Sequence, residues 1–201
     1  MKAITYQQLY KNHLNENVLD KFNRYQEVSC CWRKQNDEWF LIDNPYIEDW
    51  DLEKKRNIVS ELVNCVNNNG VVYGAIIDNT LIGFSCISAD FFGKNNEYIE
   101  LLIMQVSTEY RNKGIGKQLF KLIAGSARQL GARKIYISAH SSEESYAFYR
   151  AVGSVDAVEI NQAIARNEPF DCQMEYVLQR QNLSSISQPL LLTIKLMFLR
   201  R

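Results

Sequence analysis

The chain has 201 residues, of which 23 are lysine or arginine and 23 are aspartate or glutamate, so its formal net charge is zero. This length corresponds to one ordinary domain, and the zero balance argues against a protein that coats nucleic-acid phosphates with excess positive charge. Hydrophobic residues at 46% and charged residues at 23% are typical of a globular protein and exclude a disordered chain.

The N-terminal segment is predicted to be helical and to lead into a hairpin. Between residues 5 and 26 the apolar side chains recur at helical spacing, which predicts an amphipathic helix with an interruption near Asn15–Asn17. The next segment, VSCCWRKQNDEWFLI, has two β-rich runs on either side of Gln35-Asn36-Asp37. This pattern is typical of a β-hairpin.

A second helix is predicted after Pro45. Asp49 or Asp51 can cap its N-terminus, and its apolar face continues to about Asn67. Gly70 follows three asparagines and is predicted to be the left-handed residue that ends the helix.

The remaining elements alternate between strands and helices. They are strands over VVYGAII and LIGFSCIS joined at 78–80, a strand at 98–107, a helix ending at Gly131, a strand at 132–139, a helix near 143–152, and strand-like runs near 154–160 and 171–178. The strand–helix–strand unit across 98–139 requires a parallel, right-handed crossover. The predicted fold class is therefore α/β or α+β, with a mixed, mostly antiparallel sheet flanked by helices.

The turn after the strand at 98–107 is the most informative segment. Gly114 and Gly116 allow backbone N–H groups to turn outward at a helix N-terminus, where the helix dipole favours an anion. Arg111, Lys113 and Lys117 add positive charge nearby. The residues alone therefore predict a bound anion, and in particular a diphosphate.

Two common diphosphate motifs do not fit this turn. The dinucleotide-binding fingerprint needs a third glycine at the position of Leu119. The nucleoside-triphosphate loop needs Ser or Thr after Gly-Lys, but Gln118 follows Gly116-Lys117. A nucleotide-binding protein is therefore disfavoured.

Two motifs together carry a resemblance to a known family. Arg111-x-x-Gly114-x-Gly116 resembles the cofactor motif of the GCN5-related N-acetyltransferase (GNAT) superfamily, and SYAFYRAVGS at 145–154 is similar to a later motif of that family. The resemblance covers about residues 70–178. It implies acetyl-CoA as the co-substrate and a parallel pair, the family's fourth and fifth strands, that splits apart.

The resemblance also implies a set of cofactor-binding residues. They follow the family's fourth strand and the turn after it: Met104, Gln105, Val106, Arg111, Asn112, Lys113, Gly114, Ile115, Gly116 and Lys117. Ser142 joins them because it stands where the family often carries an asparagine, and its hydroxyl can hydrogen-bond the cofactor arm. Ser154 replaces the usual aromatic residue after the glycine of the later motif.

Tyr149 resembles the family's general acid for the departing thiolate. Its phenol is protonated at neutral pH, and its alternative role is that of a core tyrosine on a helix face. The resemblance further implies that a backbone N–H between Met104 and Val106, beside a strand bulge, stabilises the carbonyl oxygen.

Glu100 is the predicted base. It stands six residues before Val106 on one strand, and this even spacing predicts that both side chains share a face. Its apolar neighbours would raise its pKa by desolvation. The alternative is a structural carboxylate, with Glu97 as the reserve base. His140 is either a proton relay or a structural histidine.

The implied function is transfer of an acetyl group from acetyl-CoA to a primary amine of a small molecule or peptide, directly within a ternary complex. The alternative is a non-catalytic acyl-CoA-binding sensor or interaction module. The family resemblance places the acceptor wall in the N-terminal half, which carries three tryptophans and an acidic group: Trp32, Trp39, Trp50, Glu48, Asp49 and Asp51. The acidic group either receives a cationic amine or favours a helix N-terminus.

Cysteine usage and the chain's N-terminus predict a reduced, cytoplasmic protein. The five cysteines form no C-x-x-C pair and neither histidine is near them in sequence, so no metal site is expected. Cys86 and Cys172 are expected in the core. The start lacks the apolar core of a signal peptide, and no stretch has the ~20 apolar residues that cross a bilayer.

The sequence predicts a single domain over residues 1–180. Residues 1–69 form its N-terminal part, and the cofactor-binding core spans 70–178. The tail at 181–201 is apolar and basic and differs from the body. Three arrangements are open to it: packing on the body, pairing with a second subunit in a homodimer, or lying on a membrane surface.

Overall fold

The computed structural model describes residues 3–36 and 38–179. The strands are β1 (Thr5–Leu9), β2 (Gln26–Gln35), β3 (Glu38–Glu48), β4 (Val71–Ile77), β5 (Thr80–Ile87), β6 (Tyr98–Val106), β7 (Lys134–Ala139), β8 (Val155–Asp156) and β9 (Cys172–Val177). The helices are α1 (Leu52–Asn67), α2 (Ile115–Leu130), α3 (Glu143–Ala151) and α4 (Gln162–Asn167), with single 3₁₀ turns at Lys11–His13 and Thr108–Tyr110.

Seven strands form one sheet in the order β1-β4-β5-β6-β7-β9-β8, and β2 and β3 form a separate hairpin. Within the larger sheet, β6 and β7 are parallel and the other described neighbours are antiparallel. Helix α2 makes the crossover between the two parallel strands. The predicted mixed, mostly antiparallel sheet with one parallel pair is therefore confirmed.

The parallel pair separates partway along its length. β6 pairs with β7 only as far as Leu101↔Ile137. At the same point the register between β5 and β6 shifts from Cys86↔Ile103 to Ile87↔Leu101, which leaves Leu102 as an extra residue in β6. A bulge of this kind bends a strand. Beyond it β6 continues beside β5 and β7 continues beside β9, so a cleft opens between them.

The sheet is covered on both faces by apolar clusters. On one face, Ile99 and Leu101 of β6 pack with Phe120 and Ile123 of α2. On the other face, α1 and the N-terminal segment cover β4 and β5, where Leu62 is buried against Phe84 and its neighbours. Burial of this apolar surface from both sides holds β6 and β7 in place at the split.

The prediction of a helix over residues 5–26 is wrong. Residues Thr5–Leu9 form a strand that pairs with β4, in register from Thr5↔Ile76 to Leu9↔Val72. The apolar side chains after it are nevertheless buried: Leu14, Leu19 and Phe22 lie in the cluster beneath α1. Their helix-like spacing arises from burial along an irregular segment, and the pairing of β1 with a distant strand is invisible to local periodicity.

The hairpin and the helix that follow are confirmed, with one correction at the helix end. Asp51 caps α1, because its carboxylate accepts a hydrogen bond from the Lys54 amide at 2.7 Å. The left-handed residue after the helix is Asn69 (φ 63°), not Gly70. Gly70 is instead needed for close packing: a Cβ there would meet Sγ of Cys65 and lie 2.6 Å from the Ile87 carbonyl oxygen.

Replacing Gly70 with alanine is therefore expected to destabilise the fold by about 1–3 kcal/mol, because the added methyl overpacks a site bounded by backbone. Gly125→Ala is the matched control. Gly125 lies within α2 and a Cβ there meets nothing within 4 Å, so alanine should stabilise by up to about 1 kcal/mol through its helix propensity. Urea denaturation of both variants measures the difference, and equal midpoints would contradict the packing argument.

The C-terminal part differs from the prediction in two details. Of the strand-like run near 154–160, only Val155–Asp156 pairs in the sheet, and α4 was not predicted. The tail at 181–201 lies outside the described residues. Within residues 3–36 and 38–179, no helix is both long enough and apolar enough to cross a membrane.

Candidate active site

A cavity of about 590 Å³ occupies the split between β6 and β7. Its walls come from the outer half of β6, the turn before α2, the end of β7, one side of α3 and the segment before β9. It brings together ten residues from the sequence-predicted site: Met104, Gln105, Val106, Arg111, Asn112, Gly114, Ile115, Gly116, Lys117 and Tyr149. Lys113, Ser142 and Glu100 are not among the lining residues.

The turn before α2 has the backbone geometry of an anion site. Asn112 (φ 60°) and Gly114 (φ 79°) are both left-handed, and Gly114 is the N-cap residue of α2. In the part of the chain that the structure describes, no side chain caps this helix, so the amides of its first turn are available to a ligand in the cavity. Gly116 allows α3 to pack closely against the start of α2, because a Cβ there would lie 3.0 Å from the Phe148 ring of α3.

The basic side chains of the turn differ in where they reach. Arg111 lines the cavity, and its Nε donates to the Val106 carbonyl at 3.1 Å. Burial, with a smaller contribution from nearby Arg24, lowers the pKa of the Arg111 guanidinium. Lys117 also lines the cavity. Lys113 instead donates to the Glu109 carbonyl at 2.7 Å and its Nζ lies 5.2 Å from the centre of the Tyr110 ring.

The outer half of β6 presents a free backbone edge to the cavity. The Ser107 amide donates to the Ile82 carbonyl of β5 at 2.8 Å. Because backbone groups alternate in direction along a strand, the amides of Met104 and Val106 point the other way, toward the open cleft. An extended ligand arm, or an oxygen that becomes negative, can therefore meet N–H donors there.

Tyr149 lies on α3 and lines the cavity at half-buried depth. Its ring packs edge-on against Phe120, 6.3 Å between centroids, and against Phe148 at 5.3 Å. Burial, followed by the charge of Asp171, raises the pKa of the phenol well above its usual value. Among the described residues its hydroxyl has no hydrogen-bond partner, so it can donate a proton to a group in the cavity.

The predicted shared face of Glu100 and Val106 is wrong, because the bulge at Leu102 reverses the alternation. Leu101 packs beneath α2, and so do Met104 and Val106, although Leu101 and Met104 are three residues apart. Glu100 therefore points to the opposite face of the sheet, where desolvation by burial raises its pKa. The reserve, Glu97, lies 3.6 Å from Lys134 at the start of β6.

Ser142 is the N-cap residue of α3 and is fully buried. Its hydroxyl oxygen accepts from the Ser145 amide at 3.3 Å. The sequence predicts that this hydroxyl contacts the cofactor arm; in the structure it hydrogen-bonds within the turn, and Glu144 and Ser145 are the residues of this turn that line the cavity.

The tryptophans and acids of the predicted acceptor wall have other partners. Trp32 and Trp39 pack around Tyr146, at 5.2 and 5.8 Å between ring centroids. Trp50 is buried and stacks on Phe22. Asp51 caps α1, and Asp49 accepts from the Trp50 amide at 2.8 Å.

Polar residues that sequence reasoning missed line the cavity beside these elements. Arg24 is 3% exposed, and its Nη2 donates to Glu48 Oε2 at 2.8 Å. Gln26, Glu144, Ser138 and Asp171 also line the cavity. They come from four separate segments and share no local motif, so no signal in the sequence marks them as neighbours.

His140 lines the cavity at the end of β7. Its Nδ1 accepts from the Ser142 amide at 3.2 Å, which places the proton of the neutral ring on Nε2. Nε2 lies 2.8 Å from the Tyr46 hydroxyl and 3.7 Å from Glu48 Oε2. Burial raises the pKa of Tyr46 to about 12. These contacts fix the orientation of the imidazole.

The described fold, a mixed sheet whose parallel pair splits beside the turn before α2, is an acetyltransferase fold. The model of the "Acetyltransferase (GNAT) family" matches residues 25–153, and the chain belongs to that family. A comparison with curated protein sequences found no match. Within the described ranges, no group of three His, Cys, Asp or Glu side chains is placed to hold a metal ion.

Solved structures with the same fold cover most of the chain at low sequence identity. A nourseothricin acetyltransferase is 16% identical with a TM-score of 0.63, covering 88% of this chain and 99% of its own. A putative streptothricin acetyltransferase from Bacillus anthracis str. Ames, in complex with acetyl coenzyme A, is 17% identical with a TM-score of 0.64, covering 89% and 99%. The PaiA N-acetyltransferase from Thermoplasma acidophilum, in complex with coenzyme A, is 16% identical with a TM-score of 0.54, covering 87% and 99%.

Proposed function

We propose that the protein is an N-acetyltransferase that moves an acetyl group from acetyl-CoA to a primary amine of a small molecule or peptide, by direct transfer in a ternary complex. The observation that carries this proposal is a single cavity that joins the turn before α2, the free edge of β6 and the hydroxyl of Tyr149, which has no hydrogen-bond partner among the described residues. Groups suited to bind the cofactor and a group suited to donate a proton therefore line the same cavity.

The residues of the cavity fit the parts of acetyl-CoA. The amides at the start of α2, with Arg111 and Lys117, suit a diphosphate. The free edge of β6 accepts the extended pantetheine arm as if it were a further strand. The acetyl carbonyl then comes to the amides of Met104 and Val106, which stabilise the oxygen as negative charge develops.

Tyr149 supplies the proton that the departing thiolate needs. A phenol with a raised pKa is fully protonated at neutral pH and can donate to a sulfur whose usual pKa is about 8.5. Glu100 stays a candidate base, and it would have to act on the acceptor from outside the lined cavity. Its removal is one arm of the test below.

The buried cysteines favour direct transfer over a covalent acyl-enzyme. Cys86 and Cys172 are 1% and 0% exposed and do not line the cavity. Burial raises the pKa of Cys172 to about 12, which suppresses the nucleophilic thiolate. Chemical quench during turnover should trap no acetylated protein, and a kinetically competent acetyl-protein would contradict the proposal.

Thermal stabilisation by ligands tests cofactor choice. Acetyl-CoA and CoA should raise the melting temperature, while ATP and NAD should not, because only a ligand that binds the native state stabilises it. A free-thiol release screen over alkylamines, polyamines, aminoglycosides, streptothricins and peptide amines then tests turnover. Binding without thiol release would favour the acyl-CoA sensor; no stabilisation by acetyl-CoA would contradict both.

Among these acceptors we expect cationic small molecules to be the best substrates. Two structures that share the fold are a nourseothricin acetyltransferase and a putative streptothricin acetyltransferase. The carboxylates of Glu144 and Asp171 on the cavity wall support the same choice.

Replacing Lys117 with methionine is expected to weaken acetyl-CoA binding about 10–150-fold, because a charged hydrogen bond to phosphate is worth about 1.5–3 kcal/mol. Lys113→Met is the matched control from the same turn. Lys113 is turned toward the Glu109 carbonyl, so its removal should change the dissociation constant less than threefold. Isothermal titration calorimetry measures both, and equal losses would contradict the assignment of Lys117.

A further inference from the structure

Asp171 lies on the wall of the cavity where β6 and β7 separate. The pair Ala139↔Cys172 places Asp171 just beyond the last paired residues, beside His140. Cys172 and Met174 are buried in the cluster beneath α2 and α3, so Asp171 and Gln173 point to the other face of the sheet. Asp171 and Tyr149 therefore line one cavity from opposite faces.

A series of hydrogen bonds leads to Oδ2 of the Asp171 carboxylate and fixes its orientation. The Asn161 amide donates to Tyr136 Oη at 3.1 Å, and the Tyr136 hydroxyl donates to Gln173 Oε1 at 2.7 Å. Gln173 Nε2 donates to Ser138 Oγ at 3.0 Å, and the Ser138 hydroxyl donates to Asp171 Oδ2 at 3.1 Å. Each donor in this series points toward Asp171. The series therefore ends at the ionised Asp171 carboxylate, which can only accept hydrogen bonds.

The second oxygen of this carboxylate is not used by the fold. Oδ1 of Asp171 makes no hydrogen bond within residues 3–36 and 38–179, and no cation pairs with the side chain there. The titratable groups whose charges act on this carboxyl are Glu168, His140 and Glu48. Its own charge acts in turn on Tyr149 and Cys172. Burial is the largest effect and raises the pKa of the carboxyl, which makes it a better base near neutral pH.

The other carboxylates near the cavity are less suited to receive an amine. Glu48 is paired with Arg24 at 2.8 Å. Glu144 is exposed in the first turn of α3. Glu100 does not line the cavity.

We propose that Asp171 receives the acceptor's ammonium group through its free oxygen and acts as the general base, so that the acceptor is a cationic primary amine. This inference rests on the proposed acetyltransferase function and adds a residue to it. Ser138, Gln173 and Tyr136 are positioning residues, because they act only through Asp171.

The step balances in atoms and charge. Asp171 takes one proton from the ammonium group, and the freed nitrogen lone pair attacks the thioester carbonyl to form the C–N bond. The C–S bond breaks, and the thiolate takes a proton from Tyr149. The new amide nitrogen loses its second proton, which restores Tyr149, and Asp171 returns its own proton to solvent. The products are the N-acetylated amine, free CoA thiol and one proton.

The test is the pH dependence of kcat/KM with the best alkylamine of the thiol-release screen. In the wild type the carboxylate deprotonates the ammonium form, so kcat/KM should be flat between pH 7 and 8.5. The Asp171→Asn variant depends on free amine, which is about one part in a thousand at pH 7 for an amine of pKa near 10. We expect a loss of about 10³-fold at pH 7 that shrinks about tenfold for each pH unit.

Two further variants complete the design. Glu168→Gln removes a charge from the same segment without lining the cavity, and should change kcat/KM less than threefold at every pH. Glu100→Gln tests the competing base. Asparagine at 171 keeps an acceptor for Ser138, and acetyl-CoA affinity within threefold of the wild type shows that the cofactor site is intact.

Each outcome decides a different claim. A loss in Asp171→Asn that does not change with pH, or a pH-dependent loss confined to Glu100→Gln, overturns the assignment of Asp171 while leaving the acetyltransferase function standing. A wild-type kcat/KM that itself rises tenfold per pH unit also overturns it, because no base then acts. If the wild type binds acetyl-CoA but none of the amines in the screen causes thiol release, the proposed function is contradicted, and the assignment of Asp171 falls with it.

Discussion

Tyr149→Phe is expected to lower kcat about 10²–10⁴-fold while leaving acetyl-CoA affinity within about twofold. The substitution removes only a hydroxyl that has no hydrogen-bond partner among the described residues, and it keeps the ring that packs on Phe120 and Phe148. General acid catalysis contributes about this factor. Stopped-flow thiol release and calorimetry with acetyl-CoA measure the two quantities separately.

Tyr146→Phe is the matched control for this prediction. Tyr146 stands one turn earlier on α3, its ring packs between Trp32 and Trp39, and it does not line the cavity. We expect less than a threefold change in kcat. Equal losses in the two variants would assign the effect to packing of α3 and contradict the acid role of Tyr149.

The raised pKa of Tyr149 gives the same assignment a pH signature. The acid acts in its protonated form, so turnover is lost only as pH rises through the pKa of the phenol. Burial moves that pKa above the usual value of about 10. The wild type should therefore show no alkaline decline in kcat that is attributable to this tyrosine below pH 10.

The parts of the site that sequence predicted are those encoded within short segments. The turn from Arg111 to Lys117 and the Phe148-Tyr149 pair each depend on residues a few positions apart, and glycines at fixed offsets have direct backbone meaning. The same is true of the Asp51 cap and of the α2 helix, which ends at left-handed Gly131. Local chemistry decides these features, and local patterns reveal them.

The parts that sequence missed depend on pairing between distant strands. The strand Thr5–Leu9 exists because β4 offers it an edge, and its amphipathic spacing does not distinguish this from a helix. The face of Glu100 depends on the bulge at Leu102, which is defined only by the register between β5 and β6. A one-residue shift reverses every side chain beyond it.

Asp171 and Arg24 are missed for a related reason. They enter the cavity from opposite ends of the chain, and neither belongs to a motif. The topology that brings them together follows from the split of one parallel pair. The motif of the turn predicts where the cofactor binds, whereas the polar residues of the cavity that belong to no motif come from separate segments that only the folded chain brings together.

Glu175→Ala is expected to destabilise the fold by about 3–5 kcal/mol, the usual effect of removing one partner from a buried charge pair. Glu175 is 2% exposed on the face of the sheet away from α2. Its carboxylate accepts from Tyr98 Oη at 2.5 Å and from the Val158 amide at 3.1 Å, and it lies 3.1 Å from Lys134 Nζ. Alanine leaves a buried hydroxyl, an amide and an ammonium group without this acceptor.

The network also sets how stability varies with pH. Burial alone would raise the pKa of Glu175, but hydrogen bonds from Tyr98, Val158 and Lys134 reverse this and lower it. A lowered folded-state pKa contributes stability that is present above the unfolded value of about 4.3 and is lost as pH falls through the folded one. Hydrogen bonding to Tyr98 and then to Glu175 raises the pKa of Lys134, so its contribution is lost only as pH rises beyond about 10.4.

Glu97→Ala is the matched control for Glu175→Ala. It distinguishes loss of the Glu175 hydrogen bonds from loss of a negative charge near Lys134. Glu97 lies 3.6 Å from the same Lys134 nitrogen but makes a looser, less buried contact, so its removal should cost about 1 kcal/mol or less. Urea denaturation of both variants between pH 3 and 7 should show the wild type and Glu97→Ala losing stability toward acid, with Glu175→Ala much flatter. Parallel curves for all three proteins would contradict the assignment, because the acid sensitivity would then arise from other carboxylates.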